Sequence, residues 1–410
     1  MRSLRSSPAD GVMVGIAPRD LRLTFSAVPE LGYTSILLLQ ADGRAVALSS
    51  PAAATETTPG AQPDTATTHH DPALMPESDD DSFGSESPLY AAIRWLQYIG
   101  LLTVIGCASF STLVIGIMLR FQPVASPFVR DMRTRAVRLA LIGVVLVILS
   151  ALLRLFAQIY AMHGTTDAFT WTTVASMLRE TSWGTGWMLQ MVAVIVTGVG
   201  VFMSSRESRT VPPDPEIARR APWPSRGWSV VALGAVALAF TPGLASHAAS
   251  APRFSVLAMV ADGLHVLGAG GWIGSLAAVA LAGFPAARTL PEGERGAALS
   301  DLIHAFSPTA LVFAGIVATT GVFAAWLHVG SVTALWMTAY GQLLLAKLAV
   351  LSLMTGTGAF NWLRVKPALR SVPVVNRIRR TASMELLIGV VVLIITAVLV
   401  ATPAGADMQM

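Results

Sequence analysis

The sequence predicts an all-α polytopic membrane protein: an eight-helix transmembrane bundle with N and C termini outside, preceded by a short β-type segment and a disordered linker. Three observations predict it. Of the 410 residues, 53% are hydrophobic and only 13% charged, with a mean hydropathy of +0.62, values typical of membrane proteins. Eight apolar segments follow Leu89, each long enough to cross a bilayer as about 20 helical residues. Lys and Arg crowd into alternate connections between those segments, as a fixed orientation demands.

Residues 1–48 differ from the rest of the chain. "LRLTFSAV" alternates apolar and polar side chains as a half-buried strand does, "TSILLLQ" reads as a second strand, and "ADGR" supplies a turn between the latter and "AVAL". From 49 to 88 the chain is rich in Pro, Ala, Thr and acid, ending in "ESDDDSFGSESP". Such a composition buries too little apolar surface to order itself and predicts a flexible linker. The opening "MRSLRSSPADGVMVG" is basic but has no apolar core, so it is not a signal peptide. Either the first helix carries the tail across, or the natural start lies upstream of Met1.

The predicted spans are 90–119, 138–161, 184–203, 228–248, 254–284, 305–328, 340–361 and 382–402. In lipid each backbone group must bond within its own segment, so these are helices. The connections after the first, third, fifth and seventh carry 5, 5, 2 and 6 Lys or Arg, counting Arg138 with the first; those after the second, fourth and sixth carry 1, 1 and 0. The first set is cytoplasmic, which puts both termini outside. The net charge of +4 and pI near 9.6 reflect these loops, and nothing points to nucleic acid. A single cysteine, Cys107, excludes a disulfide framework and any CxxC metal site.

Ionisable groups inside spans are costly and mark function. They are Arg94, Arg154, Lys347, Asp262 and Glu385, besides the histidines. "ADGLHVLGAGGWIG" puts Asp262 and His265 three residues apart on one face of the fifth helix, with Met259 one further step along the same row. At a rise of about 1.5 Å per residue, His265 lies about 16 Å in from Phe254, near mid-membrane. It is either a core histidine satisfied by a neighbouring helix, or a ligand or proton relay. His247 follows Pro242 and Gly243, which can break the fourth helix; it lies on a re-entrant loop or at the outer rim. Lys347 and Arg154 reach depths similar to that of Asp262, and either could pair with it; Lys347 is the favoured partner.

His163 and His328 end spans on the outer side, His304 is cytoplasmic, and His69 and His70 lie in the linker. Met188 and Met191 share a face, as thioether metal ligands do, but methionine in an apolar helix is far more often packing. A P-loop, HExxH, GxSxG and a dinucleotide fingerprint are all missing from the sequence, so no enzymatic activity is expected.

"RWLQYIGLLTVIG", "SHAAS", "DGLHVLGAGGWIGSL", "FSPTALVFAGIVATTGVFAAWL", "TAYGQLLLAKLAVL" and "RRTASMELLIGVVVLIITAVLVATPAG" together resemble the CopD family of bacterial copper-resistance and copper-uptake membrane proteins over roughly 90–405. "SSPADGVMVGIAPRDLRLTFSAVPELGYTSILLLQADGRAVAL" is similar to the first half of CopC, a small periplasmic copper-binding β-sandwich. The resemblance implies a multi-pass protein of the inner (plasma) membrane that takes copper from a periplasmic CopC-like donor, contributing to copper resistance. It makes His247 and His265 the leading copper ligands, with Met259 beside them and Asp262 orienting the imidazole of His265. Three departures stand out: Ser246 replaces a glycine, Gln190 replaces an arginine, and the CopC-like part lacks that family's ligand histidines. Residues 1–48 are therefore not expected to bind copper as CopC does. Two other readings compete with copper transport: a redox protein holding haem between histidines on facing helices, and a copper chaperone for oxidase assembly.

Overall fold

A computed structural model describes residues 3–7, 22–25, 38–39, 45–46, 87–120, 126–163, 170–209, 223–244, 255–329, 332–360, 372–400 and 402. The chain divides into two compact units, Met1–Glu77 and Ser78–Met410.

In the first unit, β1 (Ser3–Ser7) pairs antiparallel with β2 (Arg22–Phe25), Ser7 opposite Arg22. β3 (Leu38–Leu39) pairs antiparallel with β4 (Ala45–Val46), Leu38 opposite Val46, on either side of "ADGR". β2, β3 and β4 fall within the apolar stretches read as strands, whereas β1 lies in the polar opening that gave no alternation. Copper binding by 1–48 and the linker up to 86 lie outside the described residues.

Among its described residues the second unit contains eight long helices at the eight predicted spans: α1 (Pro88–Met118), α2 (Pro127–His163), α3 (Ser182–Arg209), α4 (Arg226–Leu244), α5 (Val256–Arg288), α6 (Glu292–Val329), α7 (Ala339–Phe360) and α8 (Val372–Leu399). Among the described residues, seven are long and apolar enough to cross a membrane. The other, α4, contains Pro242 and is followed to its last described residue, Leu244, so the predicted re-entrant loop lies outside the described residues. The polytopic all-α architecture is thus present.

Several helices outrun their predicted spans. α2 begins at Pro127, where Ser126 Oγ accepts from the Val129 amide at 3.3 Å, and its basic first turns hold an Arg135–Asp131 ion pair at 2.9 Å. α6 begins with Glu292 and Glu294, acids that suit a helix N-terminus. Hydropathy marks the apolar window alone, whereas capping decides where a helix starts. A short helix, Trp171–Glu180, capped by Thr170, went unpredicted because it is too polar to span.

α1 is the hub, packing against α2, α4, α5 and α8. Small residues set the closest approaches, as in membrane bundles generally. A Cβ on Gly106 of α1 would run into the backbone of Gly274 of α5, and one on Gly274 into the carbonyl of Leu102. Among the described residues three turns adopt π geometry: Phe110–Val114, Gly270–Gly274 and Val279–Gly283. Such turns free backbone carbonyls. The Ser275 hydroxyl takes up that of Gly271, and Trp223 Nε1 donates to Thr112 O at 3.1 Å. Leu141, Ile142, Ile195, Phe202 and Val322 point outward, an apolar exterior suited to lipid.

Candidate functional site

The glycines of "GAGGWIG" place His265. Gly270 and Gly274 bring α5 against α1, while Gly268 and Gly271 bring it against Val317 and Phe313 of α6. The imidazole then lies between α5 and α6, with Nδ1 2.9 Å from Thr320 Oγ1. That hydroxyl is itself 2.6 Å from the carbonyl of Ile316, one turn earlier on α6. A carbonyl only accepts, so the hydroxyl proton is committed to Ile316 and Thr320 must accept from Nδ1–H. The ring also interacts with the backbone of Val317, and with its proton on Nδ1 the neutral imidazole carries its lone pair on Nε2. A Cβ at Gly321 would come 3.4 Å from Cε1, so the glycine leaves room beside the ring.

Thr320 is the residue that the structure places on Nδ1. Asp262 stands one turn earlier on α5, and its carboxylate comes beside Gly243 of α4. Lys347 of α7 lies within electrostatic range of both Asp262 and His265. Met259 is half-buried one step farther along α5, with its carbonyl beside Gly243.

Arg154, the other cation considered for Asp262, is directed elsewhere. Its Nη1 donates to Gln97 Oε1 of α1 at 2.9 Å, and its guanidinium lies 5.9 Å from the Trp183 ring centroid. Gln97 Nε2 reaches Gln190 Oε1 of α3 at 3.5 Å. Gln97 and Gln190 are each 2% exposed, and Gln190 Nε2 has no hydrogen-bond partner among the described residues. Arg94 donates to the carbonyl of Ala397 at 3.4 Å and covers the Tyr90 ring. Cys107 is fully buried. His69, His70 and His247, and the side chains of Met162, His163 and His328, lie outside the described residues. Among the described residues no three His, Cys, Asp or Glu side chains gather as a metal site would.

Thr320 and Gln97 were not singled out in the sequence. A threonine in a helix ordinarily satisfies itself on its own backbone, so its second contact is invisible there; Gln97 stands out only as an amide within "RWLQYIG".

The family model of the copper resistance protein D-like N-terminal domain matches residues 84–253, and that of copper resistance protein D matches residues 300–399. The chain belongs to the CopD family. It is 29% identical to copper resistance protein D of Pseudomonas syringae pv. tomato over 328 residues, 76% of this chain and 94% of that protein. It is 26% identical to copper transport protein CutJ of Bacillus subtilis (strain 168) over 235 residues, 57% of this chain but only 39% of CutJ. No solved structure matches.

Proposed function

We propose that this CopD-family protein handles copper at a bacterial plasma membrane, accepting it on the periplasmic side from a CopC-like donor and passing it inward through a station at His265. The observation that carries this reading is the His265 imidazole, held in the bundle with Nδ1 donating to Thr320, so that Nε2 is the nitrogen that would bind copper. The names of the two relatives, copper resistance protein D and copper transport protein CutJ, give the ligand class. Imidazole and thioether suit copper by softness, which assigns Met259 as the neighbouring donor and His247 as an outer station.

Copper here is cargo. Asp262 favours a cation at this depth, and Lys347 offsets the carboxylate when no cargo is present. In this reading the protein is not an enzyme, both termini are periplasmic, and it contributes to copper homeostasis and resistance.

The test is copper content and absorption spectrum of purified wild type beside His265→Ala and His247→Ala. Both variants are expected to lose bound copper; full copper content in both overturns the assignment. A Soret band with reducible α and β bands establishes the haem reading instead. Uptake of copper into proteoliposomes separates transport from presentation to a partner.

A further inference from the structure

Buried Gln97 and Gln190 and half-buried Arg154 form a polar cluster that the copper reading does not use. Its geometry repeats that of the candidate site. Laid in register so that Ser87 falls on Ser255, α1 and α5 match Leu96 with Leu264, Gly100 with Gly268, Ile105 with Ile273 and Gly106 with Gly274. In the same register Gln97 falls on His265. Arg154 and Thr320 stand at corresponding heights of α2 and α6, and each meets its partner on the preceding long helix at 2.9 Å.

The third helices of the two halves start in the same way. Thr181 Oγ1 donates to the carbonyl of Met177 at 2.7 Å and accepts from the Gly184 amide at 2.9 Å; Thr338 Oγ1 donates to Ala334 at 2.7 Å and accepts from Gly341 at 3.0 Å. Counted from these threonines, Gln190 and Lys347 are the same residue of their helices. Equivalent glycines also meet each other, since Gly106 and Gly274 touch reciprocally at the α1–α5 crossing, the signature of a two-fold contact.

We propose that the bundle is two four-helix repeats, α1–α4 and α5–α8, and that Gln97, Arg154 and Gln190 form the first-repeat copy of the His265, Thr320 and Lys347 niche, closed to cations by Arg154. The residue at the Arg154/Thr320 position decides whether a niche accepts a cation. In the first niche the guanidinium supplies the positive charge, and Arg94 stands where the second repeat has Asp262. In the second, a hydroxyl replaces the guanidinium and Asp262 balances Lys347, so the empty niche carries no net charge to repel an entering cation. Internal repeats with sites near the bilayer midplane are a common plan of transporters.

That the second niche's cation is copper rests on the proposed function, so the test has two arms. In the first, the melting temperature in detergent is compared among wild type, Thr320→Arg, and the triple variant His265→Gln/Thr320→Arg/Lys347→Gln, which copies Gln97, Arg154 and Gln190 into the second niche and keeps Asp262. Thr320→Arg alone buries a guanidinium against an imidazole and an ammonium, and is expected to lower Tm by about 5 °C or more. The triple variant supplies the amide acceptors and is expected to recover at least half of that loss. A triple variant no more stable than the single overturns the repeat.

In the second arm, Arg94→Asp/Gln97→His/Arg154→Thr/Gln190→Lys copies the second niche into the first, and its copper-to-protein ratio is measured with added Cu(I) and Cu(II). It is expected to double that of wild type. A folded variant with the wild-type ratio overturns the assignment of the niche. If wild type itself binds no copper, the proposed function falls while the melting comparison still decides the repeat.

Discussion

Thr320 shows how one hydroxyl fixes the chemistry of a neighbouring ring. With its proton on Ile316 it can only accept, so it holds His265 in the Nδ1–H tautomer. Thr320→Val keeps the shape and removes the acceptor; copper affinity is expected to fall by about tenfold or more, with Thr320→Ser close to wild type. Side-chain 15N NMR of the metal-free protein checks the cause, because the valine variant should lose the Nδ1–H form. Gln97 has the opposite task of accepting from a cation. Gln97→Leu leaves the Arg154 guanidinium without the acceptor at 2.9 Å and is expected to cost about 1.5–3 kcal/mol in thermal unfolding.

Helix contacts turn on the small residues. Gly106 and Gly274 let α1 and α5 touch backbone to backbone, and neither backbone can yield without moving its helix. Gly106→Ala is expected to destabilise by about 1–3 kcal/mol through overpacking. At Gly315 of α6 an added methyl group would meet nothing within 4 Å, so Gly315→Ala is expected to be neutral or to stabilise by up to about 1 kcal/mol through helix propensity. Parallel melting curves of the two alanine variants test whether the glycines pack helices or merely interrupt them. The seam of α3 and α4 uses the same device, with Gly200 against Val231 and Gly234 against Thr197.

For the whole molecule, the charge pattern of the connections sets the orientation. Cys107 is fully buried, which leaves the chain free of accessible native thiols among the described residues. Met337, 84% exposed between α6 and α7, faces outward in the proposed topology, and exposed Glu294 at the start of α6 faces the cytoplasm. Met337→Cys is expected to react with an impermeant maleimide on intact spheroplasts, and Glu294→Cys only after lysis. Labelling in the reverse order would invert the topology and move the site's entrance to the other side.

The sequence by itself determined the membrane class, the positions of the eight helices and the strand positions of β2 to β4, because apolar length and alternation are local properties read directly along the chain. It also exposed Asp262, His265 and Lys347, since charge and imidazole in an apolar run are conspicuous wherever the helix goes. Partnership was decided by the tertiary structure alone. That Nδ1 of His265 meets Thr320, that Arg154 turns to Gln97, and that Gly106 meets Gly274 all depend on which helices touch and at what height. Ordinary residues such as Thr320 and Gln97 acquire their roles only there, because a hydrogen bond across two helices is a fact about distance, which no spacing along one helix contains.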